Sequence, residues 1–292
     1  MPTTSKTHKE PPQAFLWKPR VIVACGQMQA NEDLERNRRV ALKQIEEAAR
    51  KHKAKLIVLP ETCLSGYGPA HWLGGLAAID YFYLKDTETA VRNAASKFKI
   101  AVTVGTTVRE GTPTKPKYFN TALQINESGE VLHRYDKMHL TGTPTRTLDA
   151  AVFEFGSVKN LRVIEQAGLK TGTQICMDMR YPEGWRLLAL AGAKVFLHPT
   201  ACFGRDQLWK TDPVHANMSS RASENGCWFL SANLAGPFQF ATSRIIDPDG
   251  IVVVEAQTDC EQVISAGIDP EFHGRGNFLP GRRTDIYRLE KR

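Results

Sequence analysis

Short apolar runs alternate with amphipathic helical stretches along almost the whole chain, and this alternation restricts its fold more than any other feature. Residues 20–26 and 56–59 are β-branched runs typical of buried strands. Between them, residues 34–48 carry apolar side chains at helical spacing, with Arg and Lys on the opposite face. Strand-like and helix-like segments continue to alternate up to residue 268. The pattern predicts an α/β fold in which helices cover one large sheet or two.

The chain divides into a central domain and two short tails. With 292 residues and 42% apolar content it is long enough for one large domain, and no linker interrupts residues 19–280. Residues 1–18 are polar and contain proline, which predicts a flexible N-terminal arm. Residues 281–292 combine charge with an aromatic side chain, so we predict a C-terminal tail that packs at a subunit interface.

The net charge of +7 does not indicate a nucleic-acid partner, because it is concentrated at the ends of the chain. Residues 1–20 carry four Lys or Arg and one Glu, which gives +3. Residues 271–292 carry six Lys or Arg and three acids, which again gives +3. The body between them is close to neutral and has no basic face interleaved with aromatic residues. We expect solvated tails or a subunit contact.

Cysteine usage and the apolar runs predict a cytoplasmic protein without a membrane partner. The six cysteines are scattered and form no CxxC pair, which favours a reducing compartment over a disulfide framework or a zinc site. The first twenty residues lack the apolar segment of a secretory signal. No apolar run approaches the roughly 18 residues that a membrane span needs.

Three chemically active side chains stand at equivalent places, at or just beyond the carboxyl end of a predicted strand. Glu61 follows Leu-Ile-Val-Leu-Pro, Lys137 follows Arg-Tyr-Asp, and Cys176 ends a strand predicted to begin at Leu169. Alone, each suits an ordinary structural role: a loop acid, a solvated lysine, a small buried hydrophobe. Sites in α/β sheets gather where strands end, so together they indicate a thiol nucleophile with a carboxylate base and an ammonium that stabilises negative charge.

The segments around these residues resemble the three signature segments of the nitrilase superfamily of carbon–nitrogen hydrolases. They are Pro-Glu-Thr-Cys-Leu-Ser-Gly-Tyr at 60–67, Tyr-Asp-Lys-Met-His-Leu at 135–140, and Gly-Thr-Gln-Ile-Cys-Met-Asp-Met-Arg-Tyr-Pro-Glu at 172–183. They come in the order of the family, and weaker likenesses extend the resemblance over about residues 20–270. Three separated segments are far more specific than one short motif.

The resemblance implies a four-layer α-β-β-α sandwich with two mixed β-sheets, usually a homodimer. It also implies Glu61, Lys137 and Cys176 as the catalytic set, with no metal and no organic cofactor. The substrate would be a small amide or an N-carbamoyl (ureido) compound. Cys176 would form a thioester while Glu61 serves as general base and acid, and Lys137 with the backbone N–H of Met177 would stabilise the oxyanion. We expect burial to raise the pKa of Glu61. We expect the Lys137 ammonium to lower the pKa of the Cys176 thiol, so that the difference between the two pKa values becomes smaller.

Two departures from the family pattern concern the second acid and the residue after the cysteine. Family amidases often carry a second glutamate before a Phe-x-x-Gly segment, but here the position four residues before Phe153 is Asp149. We assign Asp149 to positioning substrate or water, with a loop cap as the alternative, and prefer it to Glu154. Met177 replaces the Trp that is usual in true nitrilases, which favours amides over nitriles.

Four further residues are candidates for the substrate pocket. Met177, Cys202, Phe203 and Arg205 belong to segments that end strands at the same sheet edge, and we do not expect Cys202 to be the nucleophile. Arg180 could bind a substrate carboxylate, but a structural ion pair, for example with Glu183, is the preferred interpretation.

Other functions remain as alternatives. A nitrilase that converts a small nitrile to an acid uses the same residues, and a non-catalytic binding protein could keep the same fold. The chain contains no GxSxG, HExxH, P-loop or GxGxxG motif, so a serine hydrolase or a metalloenzyme is poorly supported.

Overall fold

The computed structural model describes residues 17–67, 75–142, 149–276 and 278–286. Most of the predicted arm and the end of the predicted tail lie outside these residues. Trp17 was predicted to belong to the arm, but its ring packs edge-on against Trp228, with 4.9 Å between ring centroids. Its indole N–H also donates to the carbonyl of Gly267 at 3.4 Å. The folded domain therefore begins no later than residue 17.

Two mixed sheets form the centre of the described part of the chain. The strands are β1 Val21–Gln27, β2 Leu56–Val58, β3 Ala101–Thr112, β4 Lys115–Ile125, β5 Val131–Asp136, β6 Val163–Gln166, β7 Leu169–Thr173, β8 Val195–Thr200, β9 Trp228–Asn233, β10 Arg244–Ile246, β11 Val252–Glu255 and β12 Gln262–Ile268. The first sheet has the order β12-β1-β2-β3-β4-β5 and the second has the order β11-β10-β9-β8-β7-β6. In each sheet the central strands are parallel and the outer pairs are antiparallel. The predicted α/β class with two mixed sheets is confirmed.

Helices lie on the outer face of each sheet. The α-helices are α1 Leu34–Arg50, α2 Tyr81–Phe98, α3 Asp149–Val152, α4 Pro182–Leu190 and α5 Thr211–Ser223. Short 3₁₀ helices span Gly75–Ala78, Val158–Asn160, Cys176–Arg180, Arg205–Lys210 and Leu279–Gly281. Helix α1 begins at the cap Asp33, whose side chain accepts the N–H of Arg36. Within the described residues, no helix is both long and apolar enough to cross a bilayer.

Three buried clusters hold these layers together. Helices α1 and α2 pack on the first sheet through small and branched side chains such as Ala41, Ile45 and Val91. Helices α4 and α5 pack on the second sheet around Trp185. The third cluster fills the space between the sheets, where Val23 and its neighbours in the first sheet share a core with Leu197 and its neighbours in the second. This is the predicted α-β-β-α order, since each sheet buries one face against helices and the other against the opposite sheet.

Candidate active site

Glu61 leaves the first sheet in a tight turn directly after β2. The chain stays paired with β3 here, because Leu59 N–H donates to the Thr103 carbonyl at 2.8 Å. Gly105 on β3 lies against the turn, where an added Cβ would come within 2.7 Å of the Cα of Glu61. The absence of a side chain at Gly105 therefore lets the turn approach the sheet. Glu61 itself is completely buried.

Lys137 follows β5 and its ammonium lies between two buried carboxylates. Its Nζ donates to Oε1 of Glu61 at 2.7 Å and contacts Oδ2 of Asp149. Lys137 and Asp149 are both fully buried, and the Tyr67 hydroxyl donates to the other oxygen of Asp149 at 2.8 Å. The structure thus brings three of the predicted residues into one cluster. Burying a lysine is tolerated here because two opposite charges surround it.

Asn120 on β4 fixes the orientation of the Glu61 carboxylate. Its amide Nδ2 donates to Glu61 Oε1 at 2.7 Å, so that this oxygen accepts from both Asn120 and Lys137. The second oxygen, Oε2, is buried and has no hydrogen-bond partner among the described residues. A buried carboxylate oxygen without a partner carries a large desolvation penalty. It is also the atom of this cluster that is free to accept a proton.

Cys176 comes from the second sheet through a sharp change in backbone direction. The strand was predicted to run to Cys176, but β7 ends at Thr173 and Cys176 begins a 3₁₀ helix. Its φ of 42° lies in the left-handed region that L residues rarely adopt, so the backbone turns away from the strand direction at this residue. The turn leaves the side chain half-buried at the wall of a cavity.

His198 on β8 stabilises this turn through a hydrogen bond to its backbone. Its Nε2 lies 3.1 Å from the Cys176 carbonyl oxygen and its Nδ1 lies 3.0 Å from the Ser231 hydroxyl. Because a carbonyl can only accept, Nε2 carries the proton and Nδ1 accepts from Ser231. Burial lowers the pKa of His198 to about 4, so the ring is neutral at ordinary pH.

Asp178 joins the turn of the cysteine to the segment that carries the lysine. Its Oδ2 accepts the Ile175 N–H at 2.9 Å and the Tyr135 hydroxyl at 2.8 Å. Its Oδ1 accepts the backbone N–H of His139 at 2.8 Å. Tyr135 and His139 flank Lys137 on either side, so one buried carboxylate fixes Cys176 and Lys137 relative to each other.

The pKa directions agree with the prediction for Glu61 and contradict it for Cys176. Burial raises the pKa of Glu61 well above its usual value, and a thiolate at Cys176 raises it further. The pKa of Cys176 was expected to be lowered, but a hydrogen bond with the Cys202 sulfur and burial both raise it. The Lys137 ammonium opposes that rise without overcoming it. The site therefore places a thiol of raised pKa beside a carboxyl group whose pKa is also raised.

A cavity of about 330 Å³ opens in front of the Cys176 side chain. Four predicted pocket residues line it: Met177, Arg180, Cys202 and Phe203. Its other lining residues are Tyr67, Thr141, Met179, Ala201, Gly204, Gln207, Lys210, Val214 and Phe240. Most of this wall is apolar, which is typical of a site for a small organic molecule.

Three predictions about the surrounding residues need correction or refinement. Arg205 is exposed and is not part of the cavity wall, because its guanidinium stacks over the Phe238 ring at 4.4 Å. Arg180 forms no ion pair with Glu183 or with any other described carboxylate. Glu154 is exposed, so the second acid of the buried cluster is Asp149. Among the described residues, no group of three or more His, Cys, Asp or Glu is arranged to hold a metal ion.

A known protein family matches nearly the whole described chain. A profile of the carbon–nitrogen hydrolase family matches residues 22–275. The chain belongs to the carbon–nitrogen hydrolase family. This confirms the resemblance to the nitrilase superfamily that the three sequence segments indicated.

Individual hydrolases and amidases are similar to this chain over most of their length. A hydrolase from the pqqF 5′ region of Pseudomonas protegens is 32% identical over 246 residues, which are 80% of this chain and 80% of that protein. The omega-amidase of Saccharomyces cerevisiae is 31% identical over 249 residues, 80% of this chain and 82% of that enzyme. A solved mutant of the nitrilase-superfamily amidase from Nesterenkonia AN1 superposes with a TM-score of 0.76, at 25% identity, over 92% of this chain and 96% of that chain.

Asn120, Tyr67 and Lys210 are site residues that the sequence reasoning missed. Asn120 lies inside a strand, and Lys210 ends a short helix far along the chain from the signature segments. Tyr67 was quoted within a signature segment but was given no role. The positions of Asn120 and Lys210 at the site depend on strand pairing and loop paths that no local pattern encodes.

Proposed function

We propose that this carbon–nitrogen hydrolase is an amidase that cleaves the C–N bond of a small linear amide or ureido compound through a Cys176 thioester. The observation that carries the proposal is the unpartnered Oε2 of Glu61. Asn120 and Lys137 both bind the other oxygen, which leaves one buried carboxylate oxygen as a proton acceptor. A structural carboxylate would be expected to have both oxygens satisfied.

In the acylation step, Glu61 takes the thiol proton and the Cys176 sulfur attacks the carbonyl carbon. Negative charge moves to the carbonyl oxygen, where the Lys137 ammonium and the N–H of Met177 stabilise it. Met177 is the second residue of its 3₁₀ helix, so its N–H has no acceptor inside that helix. Protonated Glu61 then gives the proton to the departing nitrogen, and the C–N bond breaks to leave a thioester and ammonia or an amine.

In the deacylation step, the Glu61 carboxylate removes a proton from water, which attacks the thioester carbonyl. The C–S bond breaks, the acid is released and the proton returns to Cys176. One amide and one water molecule become one carboxylic acid and one ammonia or amine. The raised pKa of Glu61 supports both steps, because the same group must accept and donate a proton near neutral pH.

Asp149 supports this chemistry from the other side of the lysine. Its carboxylate contacts Lys137 and accepts from Tyr67, so it orients the ammonium and keeps it charged. The pKa of Lys137 is raised well above its usual value, because the attraction of Asp149 and Glu61 outweighs the opposing effect of burial. A lysine that is always charged can stabilise an oxyanion but cannot replace Glu61 as the base.

Amides are favoured over nitriles by two independent observations. Met177 stands where true nitrilases usually carry Trp, and a named relative from yeast is an omega-amidase. The test is ammonia release from a panel of primary amides, ureido compounds and nitriles, each measured with the unaltered protein and with Cys176→Ala. Cys202→Ala is the matched control, since it removes the neighbouring thiol of the same cavity. Activity that survives Cys176→Ala, or that is lost only in Cys202→Ala, would refute the proposed nucleophile.

A homodimer in the cytoplasm remains a prediction of the sequence. Several large apolar side chains are exposed, among them Phe278 at 68% and Ile286 at 59% near the predicted tail. Burial of this surface against a second copy would support the predicted subunit contact. Sedimentation equilibrium of the full chain and of a chain truncated after residue 280 tests it, and an unchanged mass after truncation would exclude a role for the tail.

A further inference from the structure

The side chains of Cys176 and Cys202 meet at the wall of the cavity, where their sulfur atoms are in hydrogen-bond contact. They come from two separate segments of the second sheet. Cys176 begins the 3₁₀ helix after β7, and Cys202 follows the end of β8. Cys176 is half-buried and reaches the cavity, whereas Cys202 is only 2% exposed. The proposed hydrolysis uses the Cys176 sulfur alone, so the second thiol has no role in it.

The other four cysteines have different surroundings. Their thiols lie against oxygen atoms, namely the carbonyls of Arg244, Gly105 and Ala193 for Cys25, Cys63 and Cys227, and Oε1 of Gln257 for Cys260. Burial raises the pKa of Cys63 and Cys227 to about 12. The pKa of Cys202 is instead lowered, because hydrogen bonds from Cys176 and Thr200 together outweigh the effect of burial. A thiol that is stabilised as a thiolate is suited to attack a neighbouring sulfur.

Hydrogen bonds hold both cysteines in these positions. The Cys202 N–H donates to Oδ1 of the buried Asn233 at 2.7 Å, and the Thr200 hydroxyl lies 3.1 Å from the Cys202 sulfur. His198 donates to the Cys176 carbonyl and so fixes the other segment. Because both backbones are held, each thiol is present at a high effective concentration beside the other.

We propose that Cys202 is a resolving thiol, which forms a reversible disulfide with Cys176 when hydrogen peroxide enters the cavity. In the first step the Cys176 sulfur attacks one oxygen of the peroxide and the O–O bond breaks. Glu61 takes the thiol proton and gives it to the departing oxygen, which leaves as water. In the second step the Cys202 sulfur attacks the sulfur of the sulfenic acid, the S–S bond forms, and the S–O bond breaks to release a second water with the Cys202 proton. The two thiols lose two electrons in total, and the peroxide gains them.

The disulfide stops the proposed hydrolysis and protects the cysteine that carries it out. It removes the sulfur nucleophile until an external dithiol reduces the bond. It also prevents irreversible damage, because a sulfenic acid that meets no thiol is oxidised further to a sulfinic acid. Disulfides in a reducing compartment are usually transient and redox-sensing, which suits the compartment predicted from the cysteine pattern. Formation of the bond does not depend on which amide is hydrolysed, because it needs only the contact between the two sulfur atoms.

The experiment is peptide mapping without reductant after the full chain has been treated with hydrogen peroxide. In the unaltered protein we expect a linked peptide that contains Cys176 and Cys202, a protein mass lower by two hydrogen atoms, and a loss of amide hydrolysis that dithiothreitol reverses. In Cys202→Ala, Cys176 should instead gain two oxygen atoms, and the fraction of activity that dithiothreitol restores should fall by about tenfold. Cys227→Ala is the matched control, because Cys227 is also 2% exposed but lies outside this cavity. It should behave as the unaltered protein does.

The outcomes separate this inference from the proposed function. If Cys176 gains oxygen atoms in the unaltered protein without a linked peptide, or becomes linked to Cys260 instead, the role of Cys202 is refuted while the amidase stands. If dithiothreitol restores Cys202→Ala as completely as the unaltered protein, the inference also fails. A linked peptide with undiminished hydrolysis would overturn both the switch and the assignment of Cys176 as nucleophile. If the linked peptide forms but no amide is ever hydrolysed, the disulfide is supported and only the proposed function fails.

Discussion

Replacing Asn120 with alanine tests whether its hydrogen bond keeps the Glu61 carboxylate, the proposed general base, oriented and ionised. The substitution removes the 2.7 Å hydrogen bond to Glu61 Oε1 and leaves Lys137 as its remaining donor. A hydrogen bond to a charged group contributes about 1.5–3 kcal/mol, so we expect kcat/KM to fall by about 10- to 100-fold. The loss of a donor to the ionised form also raises the pKa of Glu61 further. Because the base must be ionised, the acid limb of the pH profile should move to higher pH.

The assay is kcat/KM for a hydrolysed amide as a function of pH, which reports the ionisation of the free enzyme. Thr121→Val is the matched control, because it removes a 2.6 Å hydrogen bond from the next residue of β4 to Asp136. We expect Thr121→Val to lower the free energy of unfolding without moving the acid limb. A variant Asn120→Ala that keeps the acid limb of the unaltered protein would refute the role given to Asn120. A similar shift in Thr121→Val would show that the effect is a general loss of packing.

Three further predictions concern the neighbours of this cluster. Asp149→Asn should lower kcat/KM by about 10- to 100-fold, because it removes a charge that orients Lys137. A variant with lower thermal stability but unchanged kcat/KM would contradict this role. Cys202→Ala should lower the pKa of Cys176, since it removes a hydrogen bond that raises it, and iodoacetamide should then alkylate Cys176 faster at neutral pH; slower alkylation would contradict the direction. His198→Ala should lower the free energy of unfolding by about 1–3 kcal/mol, as measured by urea denaturation, because it leaves the Cys176 carbonyl without its donor; an unchanged midpoint would show that the turn does not depend on His198.

Glu61, Lys137 and Cys176, which we propose as the catalytic trio, could be picked out from the sequence because each follows a recognisable strand. Glu61 and Lys137 come directly after apolar or alternating runs, and parallel strands bring their carboxyl ends to one edge. Cys176 was assigned to the end of its strand, yet β7 stops three residues earlier. A left-handed φ at a cysteine has no sequence signal, since the residue that normally marks such a conformation is glycine.

The electrostatics of the site could not be derived from residue types alone. The presence of Lys137 near Cys176 suggested a lowered pKa of the thiol. The Lys137 ammonium, however, is already paired with the carboxylates of Glu61 and Asp149. Burial and Cys202 therefore have the larger effect on the thiol. The interpretation of Arg180 failed for a similar reason, because Glu183 lies close in sequence but opens a separate helix.

Gly156 belongs to a sequence motif, but the motif alone does not show why a glycine is needed there. The Phe-x-x-Gly segment served to locate Asp149, and the structure gives its glycine a physical role. A Cβ at Gly156 would overlap the carbonyl oxygen of Asp136, immediately before Lys137. The Gly156 N–H donates to the Lys137 carbonyl at 2.9 Å. The absence of a side chain at Gly156 lets its backbone approach closely enough to hydrogen-bond to the Lys137 carbonyl. Only the folded structure shows this contact.

Mass spectrometry of the intact protein with a slowly hydrolysed amide tests directly whether Cys176 is the nucleophile. We expect a mass increase equal to the acyl group, located on the peptide that contains Cys176 and absent in Cys176→Ala. Glu61→Gln should prevent or greatly slow its formation, because the thiol then lacks its base. An adduct on Cys202, or turnover in Cys176→Ala, would contradict the assignment of Cys176 as the nucleophile.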